Sequence, residues 1–379
     1  MLSDIFKSRF LNSPVFLVRS PGRINLIGEH TDYNEGFVMP AAINRYVNVA
    51  IGKRDDDLIA LFAVQFDEYV EIPPSEIRPV EHSWTNYVLG VVDQLQKKGL
   101  KATGFNMVIV GDVPEGAGLS SSAAIECAVC FAISKLFGHD LKKWDIALLS
   151  QKAEHSFPKV MCGIMDQFAS TFGSKDHALK LDCRSLEYEE LPLILGGYVI
   201  LLLNTNVKHS LASTEYNTRR AECAEGISMI KAHVPEVKNL RDVNLPLLQK
   251  YVKDPLIFQR CSFVIEENER VQKSAELLRA GDIVGLGKLM YGSHDGLSMK
   301  YEVSCPELDW LVDAVRTNPA VAGARMMGGG FGGCTINLVK EAEAEKLVAK
   351  LTEGYSRAMK KELTAYIATT ANGTEEYTE

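Results

Sequence analysis

Apolar positions follow two periods along the chain, one suited to strands and one to helices. Short runs rich in β-branched residues, read as strands, lie at 46–52, 58–64, 105–110, 178–182, 197–204, 324–327, 335–339 and 365–369. A further strand at 16–19 is expected to break at Pro21-Gly22. Helical spacing covers 84–98, where Trp84, Tyr87, Val88, Val91 and Leu95 share one face. It returns at 123–137, where Gly138 supplies a stop, and at 142–157. A long helix begins near Thr214-Glu215-Tyr216, and helices dominate to about Arg316. Leu347, Leu351 and Tyr355 mark one more. No fixed-period repeat is visible. The mixture predicts an α/β (α+β) chain, with 1–185 as a first lobe and 186–379 as a second.

The stretch 110–124 joins the strand at 105–110 to the helix at 123–137 through Pro114, Gly116 and Gly118, and ends on Ser120, Ser121 and Ser122. The first N–H groups of a helix lack intrahelical partners, and the macrodipole adds partial positive charge there. Glycines let backbone come close to a phosphate chain, and a serine hydroxyl can reach a phosphate-bound Mg²⁺. No Lys precedes the serines, so this is not a Walker A loop. Read alone, the segment also fits an ordinary loop with Ser120 as N-cap.

Composition narrows the partners. The chain has 379 residues, 46% of them hydrophobic, and a net charge of -8. That charge argues against nucleic acid or an anionic membrane as the main partner. The longest apolar run, 198–203, is too short to span a bilayer, and no signal-peptide pattern opens the chain. Eight cysteines are scattered. Cys127 and Cys130 form a C-x-x-C inside a predicted helix with no second pair, which reads as core packing rather than a zinc site. A cytoplasmic protein is expected.

Three further clusters carry candidate chemistry. Glu29, His30 and Asp32 crowd acceptors and an imidazole into four residues after Leu26-Ile27, a set suited to a ligand with several hydroxyls. The bland alternative is a polar loop entering the turn at 34–36. Asp166 stands among Met161, Cys162, Ile164, Met165 and Phe168, where an unpaired carboxylate would be costly. An Arg partner is the simplest way to keep it ionised. Glu154 ends a helix and reads as a surface residue or a Mg²⁺ ligand. The run 328–333 holds five glycines in six residues, either a tight structural crossing or backbone pressed on a ligand.

With these motifs in order, the chain resembles the galactokinases of the GHMP small-molecule kinase superfamily. Residues 22–34 resemble the galactokinase signature, 114–123 the phosphate loop and 328–333 the third motif; similarity continues through 162–168 and 302–309. The resemblance implies a two-lobed GHMP kinase fold with its site in the cleft. It also implies phosphoryl transfer from MgATP to the anomeric hydroxyl of galactose by a monomer. By position, Arg23, Glu29, His30, Asp32, Gly163, Asp166 and Tyr216 would contact the sugar. Asp166 would accept or orient the C1 proton, and Arg23 would steady it. Ser122 and Glu154 would hold Mg²⁺. Gly116, Ala117, Gly118, Leu119, Ser120, Ser121 and Ser122 would cradle phosphate, with Trp84 and Tyr87 beside the adenine. Met327 departs from the usual Thr or Ser, which touches a minor phosphate or water contact. Competing readings are a kinase for N-acetylgalactosamine, mevalonate or homoserine, or a galactose sensor without turnover.

Overall fold

The computed structural model describes residues 1–81, 83–207 and 212–379, with the side chains of 212–214 outside that description. Thr214, expected to open a helix, therefore contributes no side-chain observation. Helix α1 (Leu2–Phe10) precedes β1 (Phe16–Asn25), β2 (Phe37–Val38), β3 (Pro40–Lys53), β4 (Ile59–Ala63) and β5 (Glu68–Ile72). Next come α2 (Thr85–Lys97), β6 (Phe105–Gly111), α3 (Ser121–Phe137), α4 (Lys143–Ser156), α5 (Met165–Phe172), β7 (His177–Asp182), β8 (Tyr188–Pro192) and β9 (Tyr198–Asn204). A helical stretch comes after these: α6 (Ala212–Lys231), α7 (Leu245–Tyr251), α8 (Pro255–Arg279), α9 (Ile283–Met299) and α10 (Pro306–Arg316). The chain closes with β10 (Val321–Met326), β11 (Cys334–Lys340), α11 (Glu341–Met359), β12 (Thr364–Ala368) and β13 (Glu375–Glu376).

The strands form three sheets, ordered β13-β1-β3-β6-β4-β5, β10-β11-β9-β12 and β2-β7-β8. Strand β9 shows why its sequence is apolar throughout. Ile200 and Leu202 enter the core shared with α3 and β1, while Leu201 and Leu203 enter the one beneath α10 and α11. A strand covered on both faces has no polar side to show. The first sheet is likewise covered twice: Met107 and Ile109 of β6 face the main core, and Val108 packs with Leu2 and Phe6 of α1.

Some elements depart from the sequence reading. Strand β1 does not break at Pro21-Gly22; it continues to Asn25, with its register against β3 shifting between Pro21 and Arg23. A bulge absorbs the missing proline donor and re-aims the residues beyond it, Arg23 first among them. Helices α1 and α5 and strands β5 and β8 were not expected; each is short, and α5 starts inside an apolar run without a side-chain cap. Gly138 does close α3 in the left-handed conformation, with φ 71°. Strand β13 returns to pair with β1, placing Glu376 opposite Val18.

One fully buried side chain ties β10 to the end of β1 and the loop beyond it. Arg325, on β10, donates to the carbonyls of Leu26, Asn25 and Met326 and to Glu29 Oε1 at 2.9 Å. Glu29 Oε1 also accepts from the Gly328 N–H at 2.7 Å. Arg325→Met leaves Glu29 buried beside its lost counter-charge, which costs about 3–5 kcal/mol. The denaturant midpoint should fall accordingly, and the Glu29→Gln, Arg325→Met double variant should lose less than the two single losses combined.

Candidate active site

Arg23 sits near the end of β1, just past the bulge, and only 4% of it is exposed. Its Nε and Nη2 donate to the two oxygens of Asp166 at 2.8 and 2.7 Å, and its Nη1 donates to the Gly118 carbonyl. One guanidinium thus joins the first turn of α5 to the glycine loop, using the planar fork that a lysine lacks. Burial alone would lower the Arg23 pKa; the charges of Asp166, Glu29 and Asp32 outweigh it and raise it.

Ser120 occupies the N-cap position of α3 but makes no cap bond. Its backbone is left-handed, φ 58°, a strained conformation for a non-glycine residue. Its hydroxyl instead donates to Asp166 Oδ2. The ordinary N-cap alternative therefore fails. The rest of the loop is anchored through backbone: Arg23 N–H donates to the Leu119 carbonyl and Cys334 N–H to that of Ala117. The Ala117 and Leu119 side chains are buried in the core.

Two cavities meet here. The smaller, about 250 Å³, is lined by Arg23, Glu29, His30, Asp32, Glu154, Asp166 and Tyr216 among others. The larger, about 960 Å³, is lined by Trp84 and Tyr87 at one end and by Gly116, Gly118, Ser121 and Ser122 at the other. Val160, Gly329 and Gly330 border both. The glycine run is both a crossing and a wall. Gly330 lies where an added Cβ would stand 2.1 Å from the Val303 carbonyl, while Gly328, Gly329 and Gly330 line the small cavity. Met327 is buried, and its Sδ accepts from the Asn25 N–H at 3.4 Å.

The loop carrying Glu29, His30 and Asp32 is held by α8: Gly28 N–H donates to Glu267 and Phe37 N–H to Asn268. Asp32 lies against Gly163, where a Cβ would fall 2.0 Å from Asp32 Oδ2. Gly163 therefore serves the cavity through Asp32 and is not itself among the lining residues. His30 has φ 60°, and its ring stands 5.3 Å from that of Tyr216.

Glu154 is buried, not on the surface. Its carboxylate accepts from Gln167 Nε2 at 2.6 Å, and the Ser122 hydroxyl bonds to it as well. Burial, then the charge of Asp166, pushes its pKa up to about 7. Behind it lies Glu126, one turn past Ser122 on α3, fully buried and pushed well above the usual carboxylate range by burial. Glu126 and Gln167 escaped the sequence reading. A lone Glu within an Ala-rich apolar helix was the available signal.

Known proteins resemble this arrangement along the whole chain. Family models match at residues 4–53 (galactokinase galactose-binding signature), 86–174 (GHMP kinases N terminal domain) and 274–357 (GHMP kinases C terminal). The Thermotoga neapolitana galactokinase is 43% identical over 356 residues, 94% of this chain and 98% of that one. The chain belongs to the galactokinase family. A galactokinase from Chloroflexus aggregans is 41% identical, covering 97% of this chain and 95% of its own. The crystal structure of Lactococcus lactis galactokinase complexed with galactose superposes with a TM-score of 0.96 at 32% identity, covering 99% of each chain. Methanococcus jannaschii mevalonate kinase shares the GHMP fold, with a TM-score of 0.70 at 20% identity over 95% of this chain and 99% of its own.

In this galactokinase family member, Asp32 shows a pH signature. Burial, followed by the charge of Asp166, raises its pKa from 3.8 to about 7. The folded state then keeps a proton that the unfolded chain releases, so stability falls as pH rises from about 4 to about 7. Asp32→Asn should match the parent in denaturant midpoint near pH 4 and exceed it at about pH 8. Equal midpoints at both ends would contradict the raised pKa of Asp32.

Proposed function

We infer that this chain transfers the γ-phosphoryl group of ATP to the anomeric C1 hydroxyl of galactose, giving galactose 1-phosphate and ADP. The observation that carries this is that the cavity holding Arg23 and Asp166 adjoins the larger one along Val160, Gly329 and Gly330, with Arg23 also bonded to the Gly118 carbonyl of the larger, in a chain that bears the galactose-binding signature. The smaller cavity takes the sugar and the larger one the nucleotide. Trp84 and Tyr87 flank the base, and the backbone of the 116–122 loop with the start of α3 meets the phosphates. Asp32, His30, Tyr216 and Asp166 face the sugar. Glu29 adds little direct reach, since one of its oxygens already serves Arg325 and Gly328.

Both oxygens of Asp166 are engaged, by Arg23 and Ser120. A carboxylate held in this way acts by orienting the C1 hydroxyl and accepting its proton as the phosphoryl group transfers. A loose phosphoryl-transfer transition state asks for positioning and charge more than for strong basicity. Arg23 balances the charge that develops beside Gly118.

Mg²⁺ fits the residues at the start of α3. Glu154 is a buried carboxylate whose hydrogen bonds come from Gln167, Cys162 and Ser122, all neutral groups, and its raised pKa marks a site that favours an incoming positive charge. Ser122 and Glu154 would hold the ion, with phosphate oxygens completing a shell of the kind Mg²⁺ prefers. When bound, it neutralises phosphate charge. The eight free thiols suit a reducing cytoplasm, and among the described residues no helix is long and apolar enough to cross a membrane. Residues 1–185 would form the first lobe and 186–379 the second, with β13 crossing back to pair with β1 of the first.

The test is ADP release measured with galactose, glucose, N-acetylgalactosamine and mevalonate. Galactose should lead, and glucose, the C4 epimer, should fall behind by up to about 10⁴-fold in kcat/KM, because unmatched hydroxyls leave buried partners unpaired. Comparable rates with galactose and mevalonate would overturn the assignment. Asp166→Asn should cut kcat by about 10²–10⁴ while calorimetry still detects galactose binding; a loss within about threefold refutes its role.

A second set of variants addresses the metal. Ser122→Ala and Glu154→Ala should each raise the Mg²⁺ concentration for half-maximal rate, and together they should be less than additive, since both act on one ion. An unchanged Mg²⁺ dependence in Glu154→Ala would remove Glu154 from the site.

A further inference from the structure

From the smaller cavity runs a hydrogen-bonded chain of side chains that phosphoryl transfer does not use. His30 Nδ1 lies 2.7 Å from the Tyr33 hydroxyl, which lies 2.8 Å from that of Tyr301, which lies 3.2 Å from Cys223 Sγ. Tyr301 and Cys223 are fully buried, and His30 is 3% exposed. His30 lines that cavity, and its Nε2 is buried without a hydrogen-bond partner. A buried orphan of this kind calls for a ligand atom or a water.

Each group in the chain has a single proton to give, so the direction of one bond sets the next. The neutral imidazole nitrogen is a better acceptor than a phenol oxygen, and a phenol is a stronger acid than a neutral imidazole N–H. Tyr33 O–H therefore donates to His30 Nδ1. Tyr301 O–H then donates to the Tyr33 oxygen, and the Cys223 thiol supplies the weak last donor. The imidazole stays neutral: burial drives its pKa down to about 3 against the Gly329 backbone, which raises it, and the charges of Arg219 and Arg325 push the same way as burial. Its one remaining proton has a single place to go.

We propose that Tyr33 and Tyr301 are positioning residues that hold His30 as its Nε2–H tautomer, a hydrogen-bond donor aimed at an oxygen of the sugar. The donor stands among carboxylate acceptors, Asp32 and Asp166, in the same cavity. A sugar is thereby offered both kinds of partner, so the site reads which oxygens accept as well as which hydroxyls donate. The chain also crosses the fold. His30 and Tyr33 belong to the signature loop, whereas Cys223 lies on α6 and Tyr301 follows α9. The tautomer therefore depends on how these helices are docked against the loop. The inference rests on the galactose assignment only for the identity of the ligand.

The experiment is nitrogen-15 NMR of histidine-labelled protein, with the His30 signals among the eight histidines assigned through His30→Gln. In the ligand-free parent, His30 should show a single tautomer protonated on Nε2, and this arm does not depend on what the sugar is. Tyr33→Phe and Tyr301→Phe should mix or reverse that signature, more so for Tyr33. In steady-state assays Tyr33→Phe should raise KM for galactose about tenfold, the equivalent of one lost hydrogen bond. Its KM for ATP should stay within about twofold, a split that a general loss of packing would not produce. An Nδ1-protonated His30 in the parent overturns the proposal. So does a Tyr33→Phe variant that keeps both the Nε2–H signature and the parent KM. If the NMR arm succeeds while galactose is not a substrate, the galactose assignment fails and the tautomer assignment stands.

Discussion

A fully buried ion pair, Arg325 with Glu29, sets the frame for the rest of the protein. Burying two charges is favourable only when every remaining lone pair and N–H is used. Here the guanidinium also binds the Leu26, Asn25 and Met326 carbonyls, and the carboxylate takes the Gly328 N–H. The pair thus fixes β10 against the end of β1 and sets the third glycine motif beside the signature loop. Both walls of the small cavity depend on that placement.

Within this frame, similar carboxylates have been sent to different tasks by their surroundings. Glu29 gives one oxygen to structure, through Arg325 and the Gly328 N–H, and still borders the cavity. Asp166 is paired at both oxygens with Arg23 and carries the Ser120 hydroxyl. Asp32 and Glu154 are bonded by neutral donors instead, the Tyr33 N–H for one and Gln167 for the other, and burial raises both to about 7. Glu126, deeper still, is raised well above the usual carboxylate range by the same cause. Proximity of like charges adds to burial, since each ionised group disfavours ionising its neighbour.

The sequence reading and the structure agree most closely where a local pattern carries the information. Strand-loop-helix around 105–137 needs only a β-branched run, glycines and an apolar helix, and all three appear within a residue or two of their expected bounds. Arg23 as the partner of Asp166 was inferable because an apolar-flanked carboxylate needs a cation and a motif arginine lacked one. Helix α5 was missed because it is one short element in an apolar stretch, without a cap to announce it. Glu154 looked like a surface residue because its burial comes from α3 and α5, which nothing near it in the chain reveals.

The sequence alone determined the alternation of strands and helices, the anion-favouring loop, the polar signature and the family resemblance, since these are carried by residues adjacent along the chain. Only the tertiary structure decided which of the clustered groups are free. Glu29 and Asp32 stand three residues apart and both border the cavity, yet one gives an oxygen to an arginine almost three hundred residues away and the other lies against Gly163. Ser120 turned from cap to Asp166 partner because its backbone is held left-handed. His30 met Tyr301 and Cys223 because helices from the far half of the chain pack on the signature loop. Hydrogen bonding and desolvation depend on distance in space, and a linear pattern of residue types does not contain that distance.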